Sequence, residues 1–397
     1  MISGKKILVG ITASISAYKT ITLIRLLVKR GAEVKVIITP AAKEFVSPMI
    51  LSTFSNDKVY CEFVENDIWE NHVILGRWAD LFLIAPASCN TISKMATGTC
   101  DNFLLATYLS ATCKTIVVPA MDEEMWRHPS TQKNIKTLES YGNDVIEPQE
   151  GLLASGLIGK GRLPEPEELV IMIEENYCRG NSLSGKNILI TAGPTEEPID
   201  PVRVVTNKSS GKMGYAIAET LFLLGANVTI VSGPVSIQTK YKGIRIVPVQ
   251  TAKEMFEACK QEQNNFDIGI FAAAVADYTI AEPEVIKIKK QENHLQLSLT
   301  KTQDILGTMG KEKLKNQKII GFALETNDGP VNAINKLKNK QADLIVLNML
   351  STDNNVFSND FNKVSFIETN ERITHYETAS KKEVALKIAD YIILNWK

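Results

Sequence analysis

Hydroxyl and amide side chains follow two apolar runs in the first half of the chain. They belong to Thr12 and Ser14 after the run at 6–11, which contains the small residue Gly10, and to Ser88, Asn90 and Thr91 after the run at 81–85. Small residues and hydroxyls at the start of a helix present free backbone N–H groups to an anion. The loops therefore predict a phosphate site of low specificity. The alternative is that Ser14 only caps a crowded helix.

A third apolar run, at 115–119, leads into an acid and several large apolar side chains. The acid is Asp122, and the apolar side chains Met121, Met125 and Trp126 around it have a helical spacing. Ligands of open α/β sheets bind at the carboxyl ends of the strands, so the three clusters predict one shared ligand. The alternatives are a helix cap for Asp122 and a place in the core for the apolar side chains.

The second half of the chain carries glycine-rich and hydroxyl-rich loops and a run of cations. Residues 191–203 read TAGPTEEPIDPVR and lead to NKSSGKMG at 207–214. Asp277 ends the segment AAVAD after an apolar run, and residues 287–290 read KIKK. Glycines and hydroxyls before a helix favour phosphate. Most basic runs are water-exposed faces, but beside a phosphate loop this one favours a nucleoside triphosphate.

Two common nucleotide-binding motifs are incomplete or missing. The sequence has no G-x-G-x-x-G. Residues 180–186 have the Walker spacing, but Asn187 replaces the hydroxyl residue and the apolar run follows the loop instead of preceding it. A nicotinamide dehydrogenase and a P-loop ATPase are therefore disfavoured.

The spacing of apolar residues predicts the elements that position these side chains. A strand, a helix and a strand are predicted at 6–11, 14–30 and 33–39, and the same order returns at 186–191, 212–224 and 227–233. Further strands are predicted at 81–85, 115–119, 268–272, 318–322 and 344–348. The fold class is α/β, with two Rossmann-like domains and largely parallel sheets. A polar stretch predicts domains at 1–178 and 186–397, joined by a linker at 179–185.

The composition limits which binding partners and which cellular compartment are expected for the protein. The 397 residues include 44 Lys plus Arg and 45 Asp plus Glu, a net charge of -1 that gives no reason to bind nucleic acid. No run reaches the ~20 apolar residues of a membrane span, so no membrane partner is expected. The six cysteines lack a C-x-x-C pair, which indicates a reducing, cytoplasmic setting. Residues 5–16 weakly resemble an export signal, but the pattern continues as a helix and a strand.

Taken in order, these segments resemble the fused phosphopantothenoylcysteine decarboxylase and phosphopantothenate-cysteine ligase family of coenzyme A biosynthesis. Residues 1–178 resemble its flavodoxin-like, flavin-dependent cysteine decarboxylases, through the loop at 10–19, HVILGRWAD at 72–80, PASCNT at 86–91, PAMDEEMW at 119–126 and the loop at 151–162. Residues 184–397 resemble the CTP-dependent ligase, through the segments at 191–203 and 207–214, AAVADY at 273–278, KIKK at 287–290, GFALET at 321–326, KLKNK at 336–340 and FSNDFN at 357–362.

For the ligase half, the resemblance implies joining of cysteine to 4'-phosphopantothenate through an acyl-cytidylate. CTP is the implied co-substrate, with magnesium or manganese screening its phosphates. Asn207 would hydrogen-bond the activated acyl group, Lys289 would neutralise the triphosphate, and Asp277 would hold cytidine or the metal. Other substrate or CTP contacts are expected from Ser210, Gly211, Lys212, Ala273, Phe322, Lys336 and Lys340.

For the decarboxylase half, the resemblance implies FMN and oxidation of a cysteinyl thiol to a thioaldehyde before carbon dioxide leaves. His72 takes the place of the histidine base, although a lone histidine is more often structural. Met125 and Arg162 are expected to contact substrate. The implied FMN contacts are Gly10, Thr12, Ser14, Thr39, Ser88, Asn90 and Thr91.

Two residues of this half depart from the family pattern. Asp122 replaces an asparagine that hydrogen-bonds the departing carboxylate, and an ionised Asp is a like charge there. Ser155 replaces the cysteine that donates a proton to the enethiol. A hydroxyl is a far weaker acid than a thiol, whose reference pKa is ~8.5, so reduction of the enethiol should be impaired.

Three interpretations of the decarboxylase half stay open. The chain is an ordinary coenzyme A enzyme in which groups such as Cys89 or Cys100 compensate. Alternatively, it is a specialised relative that oxidatively decarboxylates another cysteinyl substrate and releases the enethiol, as lantibiotic and dithiolopyrrolone pathways require. In the third interpretation, only the ligase is active and the flavin domain has no decarboxylase activity. The resemblance also implies a homo-oligomer, with trimers of the flavin domain and dimers of the ligase domain joined into a dodecamer.

Overall fold

The chain folds into two compact units, each built on its own sheet. The computed structural model describes residues 1–65, 67–289, 295–349 and 360–396. The first unit is Met1–Cys178 and the second is Arg179–Lys397. In the described part of the chain, no helix is long and apolar enough to cross a membrane.

The first unit is a doubly wound α/β fold. Its strands are β1 (Lys6–Ile11), β2 (Glu33–Ile38), β3 (Val59–Tyr60), β4 (Val64–Glu65), β5 (Ile68–Trp69), β6 (Leu81–Ala87), β7 (Lys114–Pro119), β8 (Asp144–Val145), β9 (Gln149–Leu152) and β10 (Ile158–Arg162). Six of them form a parallel sheet in the order β3-β2-β1-β6-β7-β8. The central strands are buried on both faces, which explains their continuous apolar runs.

The described residues of the first unit form eight α-helices. They are α1 (Lys19–Lys29), α2 (Pro48–Ser55), α3 (His72–Trp78), α4 (Cys89–Thr97), α5 (Phe103–Ser110), α6 (Glu123–Arg127), α7 (Pro129–Ser140) and α8 (Pro166–Tyr177). The helix predicted from residue 14 begins as a 3-10 turn at Ile15–Tyr18 and becomes α-helical only at Lys19. Ser14 caps that turn, so the phosphate-type loop stays compact before α1 starts.

The second unit has a mixed sheet. Its strands are β11 (Asn187–Ala192), β12 (Glu196–Pro198), β13 (Val204–Thr206), β14 (Asn227–Ser232), β15 (Arg245–Pro248), β16 (Ile268–Phe271), β17 (Tyr278–Ile280), β18 (Leu299–Lys301), β19 (Lys318–Glu325), β20 (Leu344–Met349), β21 (Phe361–Asn362), β22 (Val364–Glu368), β23 (Ile373–His375) and β24 (Ala379–Ser380). The sheet order is β15-β14-β11-β16-β19-β20-β22-β23. Only β22 and β23 run antiparallel to their neighbours.

Some helices of the second unit begin in loops at the carboxyl ends of strands, and the others pack against the sheet. They are α9 (Lys212–Leu223), α10 (Ala252–Gln261), α11 (Ile305–Lys311), α12 (Gly329–Asn339) and α13 (Lys381–Trp396). Every strand that the apolar runs predicted in the two halves is present, and the α/β class with two Rossmann-like units is confirmed. The prediction of largely parallel sheets is confirmed for both units. The sheet of the second unit has an antiparallel edge in addition.

The segment at 179–185, predicted as a linker, packs on the second unit. Its residues satisfy carbonyls at the C-terminus of α9, which lack intrahelical donors. Arg179 Nε donates to Phe222 O at 2.9 Å, Gly180 N to Leu223 O at 2.7 Å and Leu183 N to Leu224 O at 2.9 Å. The backbone of this stretch, with the Arg179 side chain, therefore caps α9.

Candidate functional sites

Thr12 joins the loops that follow the neighbouring strands β1 and β6. Its Oγ1 donates to Pro86 O at 2.8 Å and accepts from Ser88 N at 2.7 Å, and its own N–H donates to Pro86 O at 3.2 Å. The side chain is fully buried. Thr12 therefore sets the distance between the two predicted FMN loops, and its hydroxyl is occupied by protein partners.

The other predicted FMN residues lie at helix starts along the same edge of the sheet. Ser88 caps α4 by accepting from Thr91 N at 3.4 Å, and Asn90 is exposed in the first turn of that helix. Thr39 ends β2 and donates its N–H to Ile11 O at 3.0 Å. Together with Ser14, these residues bring helix N-termini and an exposed amide to the ends of three adjacent strands.

Gly10 is explained by packing inside β1. A Cβ atom there would lie 3.1 Å from the Phe82 ring and 3.2 Å from a methyl group of Leu104. The residue makes room for core side chains, and its side-chain position faces the interior of the first unit. The structure thus gives Gly10 a role in the core in addition to its place before the predicted FMN loop.

His72 opens α3 within a group of aromatic rings. Asn71 caps the helix by accepting from Val73 N and Ile74 N, each at 3.1 Å. The imidazole meets the rings of Phe63, Trp69 and Phe103 edge-on at centroid distances of 5.9, 6.2 and 6.3 Å. Its Nδ1 is buried and has no hydrogen-bond partner among the described residues. Because buried polar atoms normally have partners, this atom suits a ligand.

Asp122 caps α6, which was one of its two predicted roles. Its Oδ1 accepts from Glu123 N at 2.7 Å. Met125 is 47% exposed, so it lies outside the core, whereas Trp126 is buried.

Met121, which precedes Asp122, donates its N–H to Gly161 O at 3.1 Å, which docks the hairpin formed by β9 and β10 against this segment. A Cβ on Gly161 would overlap the Met121 carbonyl oxygen.

The hairpin formed by β9 and β10 presents Ser155 at its exposed tip. Leu152, Leu157 and Ile158 beside it are also exposed. At its base, Arg162 pairs with Glu165, which also accepts from the buried Lys19 ammonium at 2.9 Å. The hydrogen bond from Lys19 is the main reason that the pKa of Glu165 lies below its ordinary value. Arg162, a predicted substrate contact, is thus an anchor of the hairpin in this structure.

The residues of the first unit fit a phosphorylated flavin. Helix N-termini at Ser14 and Ser88 supply N–H groups for a phosphate, and Asn90 supplies an exposed amide. The unpartnered His72 Nδ1 is a further polar atom available to a bound molecule.

In the second unit, the hairpin of β12 and β13 holds the loop that carries Ala273 and Asp277. Thr195 Oγ1 accepts from Ala276 N at 3.0 Å. Asn207 Nδ2 donates to Val275 O at 2.9 Å. The amide nitrogen of Asn207 therefore positions this loop, so the residue has a structural contact beside its predicted acyl contact.

The start of α9 forms the predicted phosphate loop. Gly211 is the N-cap with a φ of 72°, a left-handed conformation that favours glycine, and its N–H donates to Ser209 Oγ at 3.3 Å. Ser210 precedes it, and Lys212 pairs with Asp360 at 2.7 Å. The hydrogen bond from Lys212 lowers the pKa of the exposed Asp360. An incoming phosphate would compete with Asp360 for the Lys212 ammonium.

Lys336 on α12 and Lys340, the residue that follows this helix, lie near acids on β19, after β16 and at the start of α11. Lys336 Nζ donates to Phe322 O at 2.8 Å, and Lys340 pairs with Asp304. Burial and the neighbouring Lys340 lower the pKa of Lys336, against the opposing charges of Glu325, Asp277 and Asp304. Four predicted CTP residues, Asp277, Phe322, Lys336 and Lys340, thus lie in one cluster.

Asp304 was not predicted as a site residue, yet it belongs to this cluster. It caps α11 by accepting from Gly307 N at 2.9 Å. Burial raises its pKa, but the hydrogen bonds from Lys340 and Gly307 N, together with the nearby lysine charges, leave the pKa below its ordinary value. The available sequence signal was an acid at a helix start.

The cationic run is only partly described by the structure. Lys287 and Lys289 are exposed, and the buried Asp200 holds the backbone between them by accepting from Ile288 N at 3.1 Å. Lys290 lies outside the described residues, as do residues 357–359 of the FSNDFN segment. Asn362 is described and buried, and its Nδ2 lies 3.8 Å from Met213 Sδ.

No group of three or more His, Cys, Asp or Glu side chains in the described ranges could hold a metal ion. Asp277 is exposed, and its charge acts on Lys336. A metal at this position therefore needs oxygen ligands from a bound molecule. Magnesium commonly binds in that way, through one or two carboxylates and substrate phosphates.

Comparison with known proteins decides the family. Residues 183–394 match the family described as DNA/pantothenate metabolism flavoprotein C-terminal domain, and residues 1–177 match the family described as flavoprotein. The chain belongs to the DNA/pantothenate metabolism flavoproteins. The sequence resemblance stated above is thereby confirmed, and the first unit of this flavoprotein is flavodoxin-like as expected.

Two curated relatives of this flavoprotein carry different names. The coenzyme A biosynthesis bifunctional protein CoaBC of Bacillus subtilis is 41% identical over 99% of this chain and 97% of its own length. A cysteine/cysteine sulfinic acid decarboxylase from an unidentified prokaryote is 44% identical over 88% of this chain and 99% of its own length. Among solved structures, the C-terminal domain of a CoaBC protein is 41% identical, with a TM-score of 0.46, and covers 54% of this chain and 97% of that one.

Proposed function

We propose that this flavoprotein is a bifunctional enzyme of coenzyme A biosynthesis. It ligates cysteine to 4'-phosphopantothenate with CTP and then decarboxylates the product to 4'-phosphopantetheine with FMN. The observation that carries the proposal is the cluster of Asp277, Phe322, Lys336 and Lys340, in the same unit as the α9 phosphate loop. The likeness to the Bacillus subtilis protein over almost the whole chain supports it.

The ligase chemistry uses charge more than covalent catalysis. A carboxylate oxygen of 4'-phosphopantothenate attacks the α-phosphorus of CTP and pyrophosphate leaves, after which the cysteine amine attacks the acyl carbon and CMP leaves. Lys289, Lys336 and Lys340 stabilise the negative charge of the phosphates in both steps. Asp277 would hold magnesium or manganese, which would screen the charge of the triphosphate. The loop carrying Ala273 and Asp277 is held for this purpose by Thr195 and Asn207.

In the decarboxylase half, the chain's residues orient substrate and move protons. Bound FMN supplies an acceptor for the two electrons that leave the cysteinyl thiol as it becomes a thioaldehyde. His72 accepts the proton released in that oxidation, and its aromatic neighbours restrict the ring to one orientation. Met125 and the hairpin that carries Ser155 and Arg162 cover the substrate.

A second candidate function is favoured by Asp122 and Ser155. In it the chain decarboxylates another cysteinyl compound and releases the enethiol, because Ser155 is a poor proton donor. The 44% identical relative named as a cysteine/cysteine sulfinic acid decarboxylase supports a substrate other than phosphopantothenoylcysteine. A silent flavin domain beside an active ligase is the third candidate. The products of decarboxylation separate the three.

We also propose a homo-oligomer with trimeric flavin units and dimeric ligase units. Large exposed apolar side chains on the first unit, such as Tyr18, Met49 and Trp69, support contacts between copies. The six free thiols support a reducing cytosol as the location.

The ligase proposal is tested with a substitution of Lys289. Supplied with 4'-phosphopantothenate, cysteine, CTP and magnesium, the unmodified protein should release pyrophosphate and CMP. Lys289→Gln should slow this about 10²-fold or more, since it removes a charge that acts on the reacting phosphates. The matched control is Lys318→Gln, at the amino end of β19 and paired with Asp343, which should keep normal turnover. Normal turnover of Lys289→Gln would refute the role of Lys289.

A further inference from the structure

Asp200 is a buried carboxylate in the turn between β12 and β13. Its side chain is 0% exposed. Oδ1 accepts from Val202 N at 2.8 Å and from Arg203 N at 3.0 Å, and Oδ2 accepts from Ile288 N at 3.1 Å. Since it has no access to solvent, Asp200 cannot itself reach a substrate.

Two further hydrogen bonds connect the same turn to the segment at 284–289. Arg203 donates a guanidinium N–H to Ile288 O at 2.7 Å, and Glu284 N donates to Ile199 O at 3.0 Å. Ile288 is therefore held through both its N–H and its carbonyl oxygen. The residue lies directly between Lys287 and Lys289, whose side chains are exposed.

An aspartate suits the task of accepting these backbone N–H groups. Three N–H donors converge on one side chain, and only an ionised carboxylate offers acceptors on both oxygens. Burial alone raises the pKa of Asp200, but the N–H groups of Val202, Ile288 and Arg203 outweigh it and keep the pKa below the ordinary value. Asparagine at this position would turn an N–H₂ group toward an N–H donor.

We propose that Asp200 is a positioning residue for the ligase reaction, which fixes the backbone at Ile288 and thereby places Lys289 at the triphosphate. This inference rests on the proposed ligase function. Asp200 acts through Lys289, so its contribution to turnover should disappear when the Lys289 ammonium is absent.

A double-mutant cycle tests the proposal. Asp200→Asn should lower kcat/KM for CTP about 10-fold or more in the unmodified protein, because a buried hydrogen bond becomes a donor-donor contact. In the Lys289→Gln background, the same change should cost less than about twofold, because contacting residues that act together are not additive. The matched control is Asp267→Asn. Asp267 also accepts a backbone N–H, from Asn187 at 2.8 Å, but at the amino end of the sheet, and it should show no coupling to Lys289.

Hydrogen exchange supplies a readout that does not depend on activity. Asp200→Asn should speed amide exchange across 284–289 and leave β16 unchanged. If Asp200→Asn does not fold, Arg203→Met enters the same cycle, since it removes the bond to Ile288 O and leaves the buried carboxylate intact.

Equal losses from Asp200→Asn in both backgrounds would overturn the proposal, as would unchanged exchange at 284–289. An unmodified protein that releases no pyrophosphate would refute the ligase function itself. Hydrogen exchange would then still show whether Asp200 holds the segment, so the two failures are distinguishable.

Discussion

At the scale of single residues, Asp122 caps a helix and also has a proposed chemical role. The cap on α6 uses Oδ1, and asparagine caps helices about as well as aspartate. The helix therefore does not explain why a carboxylate stands here. We propose that its negative charge acts on a substrate carboxylate.

Asp122→Asn is expected to speed decarboxylation of phosphopantothenoylcysteine while stability stays nearly constant. Removing the like charge should lower the barrier by about 1–3 kcal/mol in a desolvated pocket. The rate of flavin reduction in a stopped-flow experiment measures this. Glu124→Gln is the control, because it removes a charge from the same helix at an exposed position. A slower Asp122→Asn protein would show that the carboxylate serves the reaction.

Lys336 predicts a pH dependence of CTP binding. Because its pKa is lowered, mainly by burial, the ammonium loses its proton at a lower pH than an exposed lysine does. Affinity for CTP should therefore fall as the pH rises through that lowered pKa, by about 10-fold or more, since a charged hydrogen bond is lost. Calorimetric titration with CTP measures the profile. Lys336→Arg should flatten it, because arginine stays protonated. An identical profile in Lys336→Arg would assign the pH dependence to another group.

At the scale of elements, the hairpin of β9 and β10 is held against α6 by a close backbone approach. Gly161→Ala should displace the hairpin, since a Cβ would overlap the Met121 carbonyl oxygen. Decarboxylation should fall at least about 10-fold while ligation is unchanged. Gly151→Ala on the paired strand is the control, because its Cβ would meet only the flexible Arg162 side chain. Equal losses of activity in both variants would contradict this view of the hairpin.

The sequence predicted elements well where burial is continuous and less well elsewhere. β1, β6, β11 and β16 are apolar runs because both faces are covered. β15 is mostly exposed, and the buried positions of β22 do not alternate strictly, so neither was predicted. The 3-10 turn before α1 was missed because its residues share the apolar spacing of the helix.

The candidate site residues also divide into those that the sequence predicts and those that it does not. The hydroxyls at strand ends could be predicted from their types and positions, whereas Lys336 and Lys340 were predicted from the family resemblance. Thr195 and Asp200 could not, because their importance lies in accepting N–H groups from residues far along the chain. Such contacts depend on tertiary structure, which spacing along the sequence does not reveal.

At the scale of the whole molecule, each unit carries the residues for one of two consecutive reactions. The second unit supplies the cations and the phosphate loop, and the first supplies the flavin loops and His72. The product of ligation is the substrate of decarboxylation. The central claim is that one chain performs both.

Mass spectrometry of the products tests this claim most directly. The unmodified protein, loaded with FMN, receives 4'-phosphopantothenate, cysteine, CTP and magnesium. The expected result is saturated 4'-phosphopantetheine, with CMP and pyrophosphate released in amounts equal to the cysteine consumed. Accumulation of the enethiol, which lacks two hydrogen atoms, or of undecarboxylated phosphopantothenoylcysteine would contradict the claim.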